Sequence, residues 1–516
     1  MAADARRCIV LDARDNVVVV TDPVGAAAGE TVDVEGVGSL AFRGAVPRGH
    51  KAASRRIAKG SPILKFGHVI GVATSDIEPG EHVHVHNVEM PGSDVVNAGG
   101  HVEIRPLRSE WGDLPETFDG YPRSNGAAGI RNYVVVAGSV NCSATVVKAV
   151  CRRFLGADLS RYGVDGVIPV THASGCAQAI GGETYQVLNR TLAGWIFHPN
   201  VVGAVVIGLG CEGTTFKSIL RTKQELALTS EIPLEHFGIQ EVGGTTEAIA
   251  RGIECVEKVL AALPRFERVA VPVSKLNLAL NCGGSDALSS LTANPALGGV
   301  SDVLVSKGGT VALAEIPECT GCEELLYERC VTDEARDRLR ALFDWWEDYA
   351  SRNHVTLNEN LAPGNIAGGI TTIVEKSLGA VAKGGSTPLT EVVGYAEPIT
   401  ATGFTLMNTP GFDPVSVTGL VAGGCNIVAF TTGRGSVYGC SIAPTIKVAT
   451  NSELFRRMPG DMDVDAGKVL ADGSLDGVVG EIYRLVVEVA SGRQTCSERL
   501  GLGWEEFAPW PVGETL

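Results

Sequence analysis

At 516 residues the chain exceeds what one hydrophobic core organises, so roughly two to four domains are expected. A formal net charge of −16 argues against nucleic acid and anionic membrane surfaces as partners, because both need a broad positive field. No stretch approaches the ~20 consecutive apolar residues of a membrane helix, and charges interrupt the apolar run of MAADARRCIVLDARDNVVVV where an export signal would be continuous.

Residues 1–90 read as a small β-rich domain, in which short alternating runs such as Ile9 to Val20 and His82 to His86 are separated by turns like Pro79-Gly80. Residues 91–119 are rich in glycine, proline and charge without a sustained period, the texture of a linker. From 120 to 263, apolar runs end in glycine-rich turns and lead into amphipathic stretches: NYVVVAGSVNCSATVVKAVCRRF, GVIPVTHASGCAQAI, VVGAVVIGLGCEGTTFKSIL. Strand, loop and helix in that order predict a Rossmann-like parallel sheet with ligands at the carboxyl ends of its strands. A second boundary falls near Pro264, and residues 264–516 read as a C-terminal α/β catalytic domain with the longer glycine-rich loops APGNIAGGITT, VAGGCN and TTGRGSVYGCS. The expected fold is therefore multidomain α/β with a small β-rich head.

Three of the ten histidines lie in Glu81-His82-Val83-His84-Val85-His86-Asn87. A strand would place all three imidazoles on one face, where they either bind a metal or stand in solvent. His84 and His86 are the expected ligands, and His82, at the strand's start, is expected to contribute less. Thirteen cysteines without an export signal point to reduced thiols and a cytoplasmic location. Cys142, Cys176, Cys211 and Cys282 each follow a strand-like run, near His172 in THASGC and Glu212 in GLGCE. Thiol, imidazole and carboxylate suit Fe(II), Mn(II) or Zn(II). Four cysteines placed alike can alternatively hold an iron–sulfur cluster, although the compact ferredoxin spacings are absent. Singly, each is equally well read as a small buried hydrophobe.

Gly208 to Gly213 satisfies GxGxxG, but no second strand ending in an acid follows at the usual interval, so no nicotinamide cofactor is expected. Cys319 and Cys322 form half a zinc site without a second pair and are expected to be an incidental reduced pair. Arg434, between glycines in TTGRGS, can grip a carboxylate bidentately or stand as a surface arginine. With Thr432 it joins Gly283, Gly284, Ser285 and Asn365 as the expected substrate-binding set. Asp286 and Glu375 join His172 and Glu212 as candidate acids or bases.

GHKAASRRIAKGSPILKFGHVIGVATSDIEPGEHVHVHN resembles the amino-terminal SAF-type β-clip domain of altronate dehydratases. GYPRSNGAAGIRNYVVV, FHPNVVGAVVIGLGCE, NCGGSDALSSLTANPALG, APGNIAGGITTIVEKSLG, TTGRGSVYG and ASGRQTCSER resemble, in order, successive signatures of the altronate and galactarate dehydratase family. The resemblance implies a homo-oligomeric lyase that removes water from a small anionic sugar acid, stimulated by Fe(II) or Mn(II), and yields a 2-keto-3-deoxy acid. The three-histidine segment is similar to altronate-type members, so altronate is the expected substrate. THASGCAQAIGGE and NTPGFDPVSVTG depart from the usual altronate-type forms. Galactarate dehydration, carbon–sulfur cleavage of sulfolactate by related large subunits, and a sugar-acid binding module are the alternatives.

Overall fold

The computed structural model describes residues 7–92, 113–472 and 474–512. Most of the expected linker, residues 93–112, lies outside them. In the head, Val17–Val20 pairs antiparallel with Cys8–Ile9 and Lys51–Ala53, and Lys51–Ala53 pairs with His82–Val83. Thr31–Val34 joins Gly38–Ala41, and His68–Ala73 joins Pro62–Lys65 and Val88–Glu89. Thr31–Val34 shows why such short runs form strands: Thr31 and Asp33 are exposed while Val32 and Val34 are buried, the period-two pattern of a half-buried strand.

Two expectations for the head change. The run from Ile9 to Val20 is broken between the strands Cys8–Ile9 and Val17–Val20. The histidine strand ends at Val83: the His84 N–H donates to Asn87 Oδ1 and the Asn87 N–H to His84 O, both at 2.9 Å. An asparagine side chain that satisfies a nearby backbone group offers the chain a turn in place of a ladder.

In the second domain Gly166–Val170, Tyr133–Gly138, Val201–Gly208 and Leu234–Gly238 lie parallel in that spatial order. Tyr133–Gly138 is buried along its whole length, as a strand covered on both faces must be. Val134 and Val136 join a core with the helices Ala144–Arg152 and Thr245–Ala262, while Val135 and Ala137 face Glu183–Ile196 on the other side.

The C-terminal domain carries a seven-stranded parallel sheet in the order Leu389–Val393, Gly403–Met407, Thr310–Leu313, Asn277–Cys282, Ile427–Thr432, Thr445–Ala449, Val464–Asp465. Its core continues into the second domain, where buried Trp195 donates from Nε1 to Thr418 O at 3.0 Å. Thr117–Pro122 pairs antiparallel with Val269–Pro272, so the end of the expected linker is strand. Among the described residues no helix is long and apolar enough to cross a membrane. All thirteen cysteines are free.

A candidate active site between the head and the C-terminal domain

From its central strand Asn277–Cys282, the C-terminal sheet is extended on one side by Thr310–Leu313 and on the other by Ile427–Thr432. The connections from Asn277–Cys282 and Ile427–Thr432 run to opposite sides of the sheet, and ligands usually sit in the crevice outside the carboxyl ends of the strands at such a switch. Gly283 to Asp286 line one wall and Gly433-Arg434 the other. The N–H groups of Gly433 and Arg434 both donate to Gly284 O, at 3.2 and 3.1 Å.

Asp286 Oδ1 accepts from the Ser289 N–H at 2.9 Å, the Ser289 hydroxyl at 3.0 Å and the Thr450 hydroxyl at 3.1 Å. Oδ2 has the longer contact with the Asn451 amide, at 3.4 Å. Burial pushes the Asp286 carboxyl up from its ordinary range, against the pull of these hydrogen bonds and of Arg48. Arg434 is exposed, and its guanidinium makes no hydrogen bond or ion pair with the described residues. A Cβ at Gly364 would lie 3.4 Å from its Cδ and Nε, so the arginine passes closely over that glycine.

Gly284 is exposed at the crevice and Ser285 lines a small cavity beside Asp286. Asn365 donates to Ser285 O at 2.8 Å and accepts from the Ala362 N–H at 2.9 Å. Thr432 is fully buried and accepts from the Gly435 N–H at 3.0 Å. Gly283 packs against Asp413 and Phe430. These three therefore shape the loops, while Gly284, Ser285 and Arg434 stand at the crevice and its adjoining cavity.

The head closes on this region through four consecutive residues. Arg48 faces Asp286 electrostatically. Gly49 meets the loop backbone: a Cβ at Gly369, whose φ is +97°, would lie 2.8 Å from Gly49 O, so only glycine suits that approach. His50 Nε2 lies 3.3 Å from Ala367 O. Lys51 Nζ donates to Gly369 O at 2.7 Å and to both Glu375 oxygens at 2.9 and 2.8 Å. Lys65 Nζ adds a bond to Glu375 Oε1 at 2.8 Å, and the Thr371 N–H and hydroxyl donate to Oε2 at 2.9 and 2.8 Å. Burial alone would push the Glu375 carboxyl up, but the two ammonium groups outweigh it and hold it well below the usual carboxylate range. So placed, Glu375 is a strut between head and C-terminal domain, without a free oxygen for proton transfer.

His50, His82 and His84 each offer a ring nitrogen, all within 4.8 Å of one another. His50 Nδ1 and His82 Nε2 are 2.9 Å apart. Burial, followed by the neighbouring imidazoles and Lys51, pushes His82 down to about 3; burial, His50 and Lys51 push His84 down to about 4. Neutral rings present lone pairs, and His84 Nδ1 is buried without a hydrogen-bond partner. An orphaned nitrogen among three close neutral imidazoles fits a bound divalent metal. His86 is exposed and outside this group, although its ring lies 5.4 Å from that of His82. Of this group only His84 is an expected ligand from the sequence, where His82 stands below His86; Arg48, His50 and Lys51 are additions made by the fold. The available signal was the run Arg48-Gly49-His50-Lys51.

The other sequence candidates lie elsewhere. His172 donates from Nε2 to Gly138 O at 3.0 Å and accepts from the Ser174 N–H at 3.1 Å, so both ring nitrogens are occupied. Glu212 accepts from the Gly210 N–H at 2.6 Å and the Ser139 hydroxyl at 3.1 Å. Both are in the second domain, with exposed Cys142, Cys176 and Cys211. Cys282 is buried at the end of the central strand, where its sulfur lies 3.4 Å from Glu318 and 3.8 Å from Glu315. Those three could hold a metal by distance alone, but Lys383 Nζ already sits 2.8 Å from the sulfur and 3.2 Å from Glu315. Cys319 and Cys322 are buried.

Three family models span this architecture: the altronate/galactarate dehydratase SAF domain over residues 6–91, the D-galactarate dehydratase/altronate hydrolase second domain over 120–264, and the D-galactarate/altronate dehydratase C-terminal domain over 273–515. Fold, crevice and matches together make the chain a hydro-lyase, a sugar-acid dehydratase with a SAF head on two α/β domains. It is 34% identical to an altronate dehydratase of Bacillus subtilis (strain 168) and 35% identical to one of Escherichia coli (strain K12), over 98% of this chain and 99% of each relative. It is 33% identical to a galactarate dehydratase (L-threo-forming) of Escherichia coli (strain K12), over 96% of both chains. The chain belongs to the D-galactarate/altronate dehydratase family.

Proposed function

We propose that the chain removes water from a hexonate of the altronate type to give a 2-keto-3-deoxy acid, in the cytoplasm, with Fe(II) or Mn(II) held by His50, His82 and His84. The observation that carries this reading is the three-imidazole group at the seam between head and crevice. It adjoins the loop that contacts Ser285 through Asn365 and passes Arg434 at Gly364. When bound, the ion would supply a Lewis acid for the substrate's carboxylate and adjacent hydroxyl. Arg434, whose guanidinium is exposed beside Gly284, grips the carboxylate through paired N–H donors. Asp286 Oδ2 takes the proton from the carbon beside that carboxylate, a role its raised proton affinity supports. The hydroxyl on the next carbon then leaves as water by taking that proton back from Asp286, which is restored as the carboxylate, and the enol rearranges to the keto acid.

The test is product formation by reduced, Fe(II)-loaded protein from a panel of aldonates, aldarates and sulfolactate. Keto acid from altronate supports the proposal, and keto acid from galactarate alone moves the substrate to the aldarates. Sulfite from sulfolactate would make the chain a carbon–sulfur lyase, and no product from any member on metal-loaded protein sinks the reading.

A further inference from the structure

The four cysteines that occupy like positions in the sequence are separated by the fold. Cys282 is buried beside Lys383 in the C-terminal domain. Cys142, Cys176 and Cys211 follow Tyr133–Gly138, Gly166–Val170 and Val201–Gly208, three strands adjacent and parallel in one sheet. They share its carboxyl edge. They are exposed, whereas the other ten cysteines are all buried.

The loops carrying them are laced together. The Asn141 N–H donates to Ser174 O at 2.8 Å, and the N–H groups of Gly213 and Thr214 donate to Gly175 O at 3.0 and 3.2 Å. Each cysteine thus stands within two residues of a bond to a neighbouring loop. Gly175 has φ +100°, and a Cβ there would lie 2.5 Å from Ser139 O, so the middle loop presses on the one bearing Cys142. The trio's sulfurs are not all within 4.8 Å of one another, which the ligand atoms of two other groups are. A single tetrahedral ion with thiolates at ~2.3 Å would need sulfurs roughly 4 Å apart, whereas an iron–sulfur cluster holds its thiolates further apart.

We propose that Cys142, Cys176 and Cys211 ligate an iron–sulfur cluster of the [4Fe–4S] type through three thiolates, leaving one iron open to a small ligand. This site shares no residue with the imidazole group and does not rest on it. The test is anaerobic reconstitution of the full chain with Fe(II) and sulfide, followed by counts of iron and acid-labile sulfide and by visible absorption. Sulfide discriminates, because an imidazole site takes none. About four sulfides per chain are expected for such a cluster. Serine at any one of the three positions should lower the count sharply, while Cys255→Ser, at a buried cysteine of the same domain, should leave it unchanged. Since the three side chains are exposed, the fold of these variants should persist, checked by circular dichroism. Iron without labile sulfide, no uptake at all, or a cluster retained in the triple serine variant would each overturn the proposal.

Discussion

Replacing Glu375 by alanine removes the carboxylate that two buried ammonium groups share. The side chains of Lys51, Lys65 and Glu375 are 0%, 1% and 1% exposed, so the two ammonium groups lose their counter-charge in a place bulk solvent does not reach. Lys51 keeps its bond to Gly369 O, but the Thr371 N–H and hydroxyl both lose the acceptor Glu375 Oε2. Breaking a buried pair by removing one partner typically costs about 3–5 kcal/mol. If the unfolding unit is the C-terminal domain with the head docked, a unit large enough for roughly 1–2 °C per kcal/mol, the first calorimetric transition should fall by roughly 3–10 °C. Hydrogen exchange should accelerate at Lys51 and Thr371. The carboxyl's affinity for protons is depressed, so its stabilisation is complete above the unfolded value of about 4.3 and is lost only as pH falls through the lower folded value. The loss in Glu375→Ala should therefore be full from about pH 5.5 to 7 and shrink toward pH 8, because burial pushes Lys51 down to about 8 and that lysine then sheds the charge the carboxylate pairs with. A triple variant, Lys51→Met with Lys65→Met and Glu375→Leu, should recover most of the stability, because apolar replacement of a buried ion group is often neutral. A single variant that melts with the parent, or a triple variant that falls as far as the single one, would refute the strut.

Alanine at His50 or His82 should lower bound metal and keto-acid production ~10-fold or more, while His86→Ala changes both less; metal analysis beside turnover decides, and equal effects at all three positions would redraw the ligand set. His198 is buried, donates from Nε2 to Cys425 O at 3.1 Å, and is pushed down to about 4 by burial. Between about pH 6.5 and 4 the unfolded chain binds the extra proton, so stability falls with pH by about 3 kcal/mol over that window. His198→Gln should flatten that slope in melts taken from pH 7.5 to 4.5, and a slope parallel to the parent's would contradict it. Arg434→Lys keeps the charge but loses the planar fork, so KM should rise about tenfold with less change in kcat, read from initial rates.

The second domain was legible because its strands carry their own evidence. Residues 134 to 137 are all apolar, and the structure sends Val134 and Val136 to one core, Val135 and Ala137 to the other. A continuous apolar run bounded by glycine is what a strand covered on both faces requires. The order of the C-terminal strands was not legible, since parallel neighbours are joined by long crossovers: Asn277–Cys282 lies beside Ile427–Thr432, and no local period encodes that pairing. The histidine segment failed for a different reason. Its alternation demands extended backbone throughout, and the Asn87 side chain closes a turn at His84 instead.

The site followed the same division between local and distant information. The loops that carry Gly284, Asp286 and Arg434 are readable as loops at the carboxyl ends of strands, because a glycine-rich turn after an apolar run is a local signal, while the roles of those residues belong to the proposal. His50 is not readable in this way, because it joins His82 through the pairing of Lys51–Ala53 with His82–Val83, in which Ala52 lies opposite His82. Glu375 is expected from its loop to be an acid or base, yet the lysines that make it a strut instead lie 324 and 310 residues earlier in the chain. A carboxylate with an open oxygen can serve as a base, and one between two buried ammonium groups cannot. Asp286 and Glu375 line the same small cavity, and what separates their roles is which of them the head's lysines reach. On the proposed reading the head belongs to the site: removing it would take both ammonium partners from Glu375 and the imidazoles of His50, His82 and His84 from the crevice.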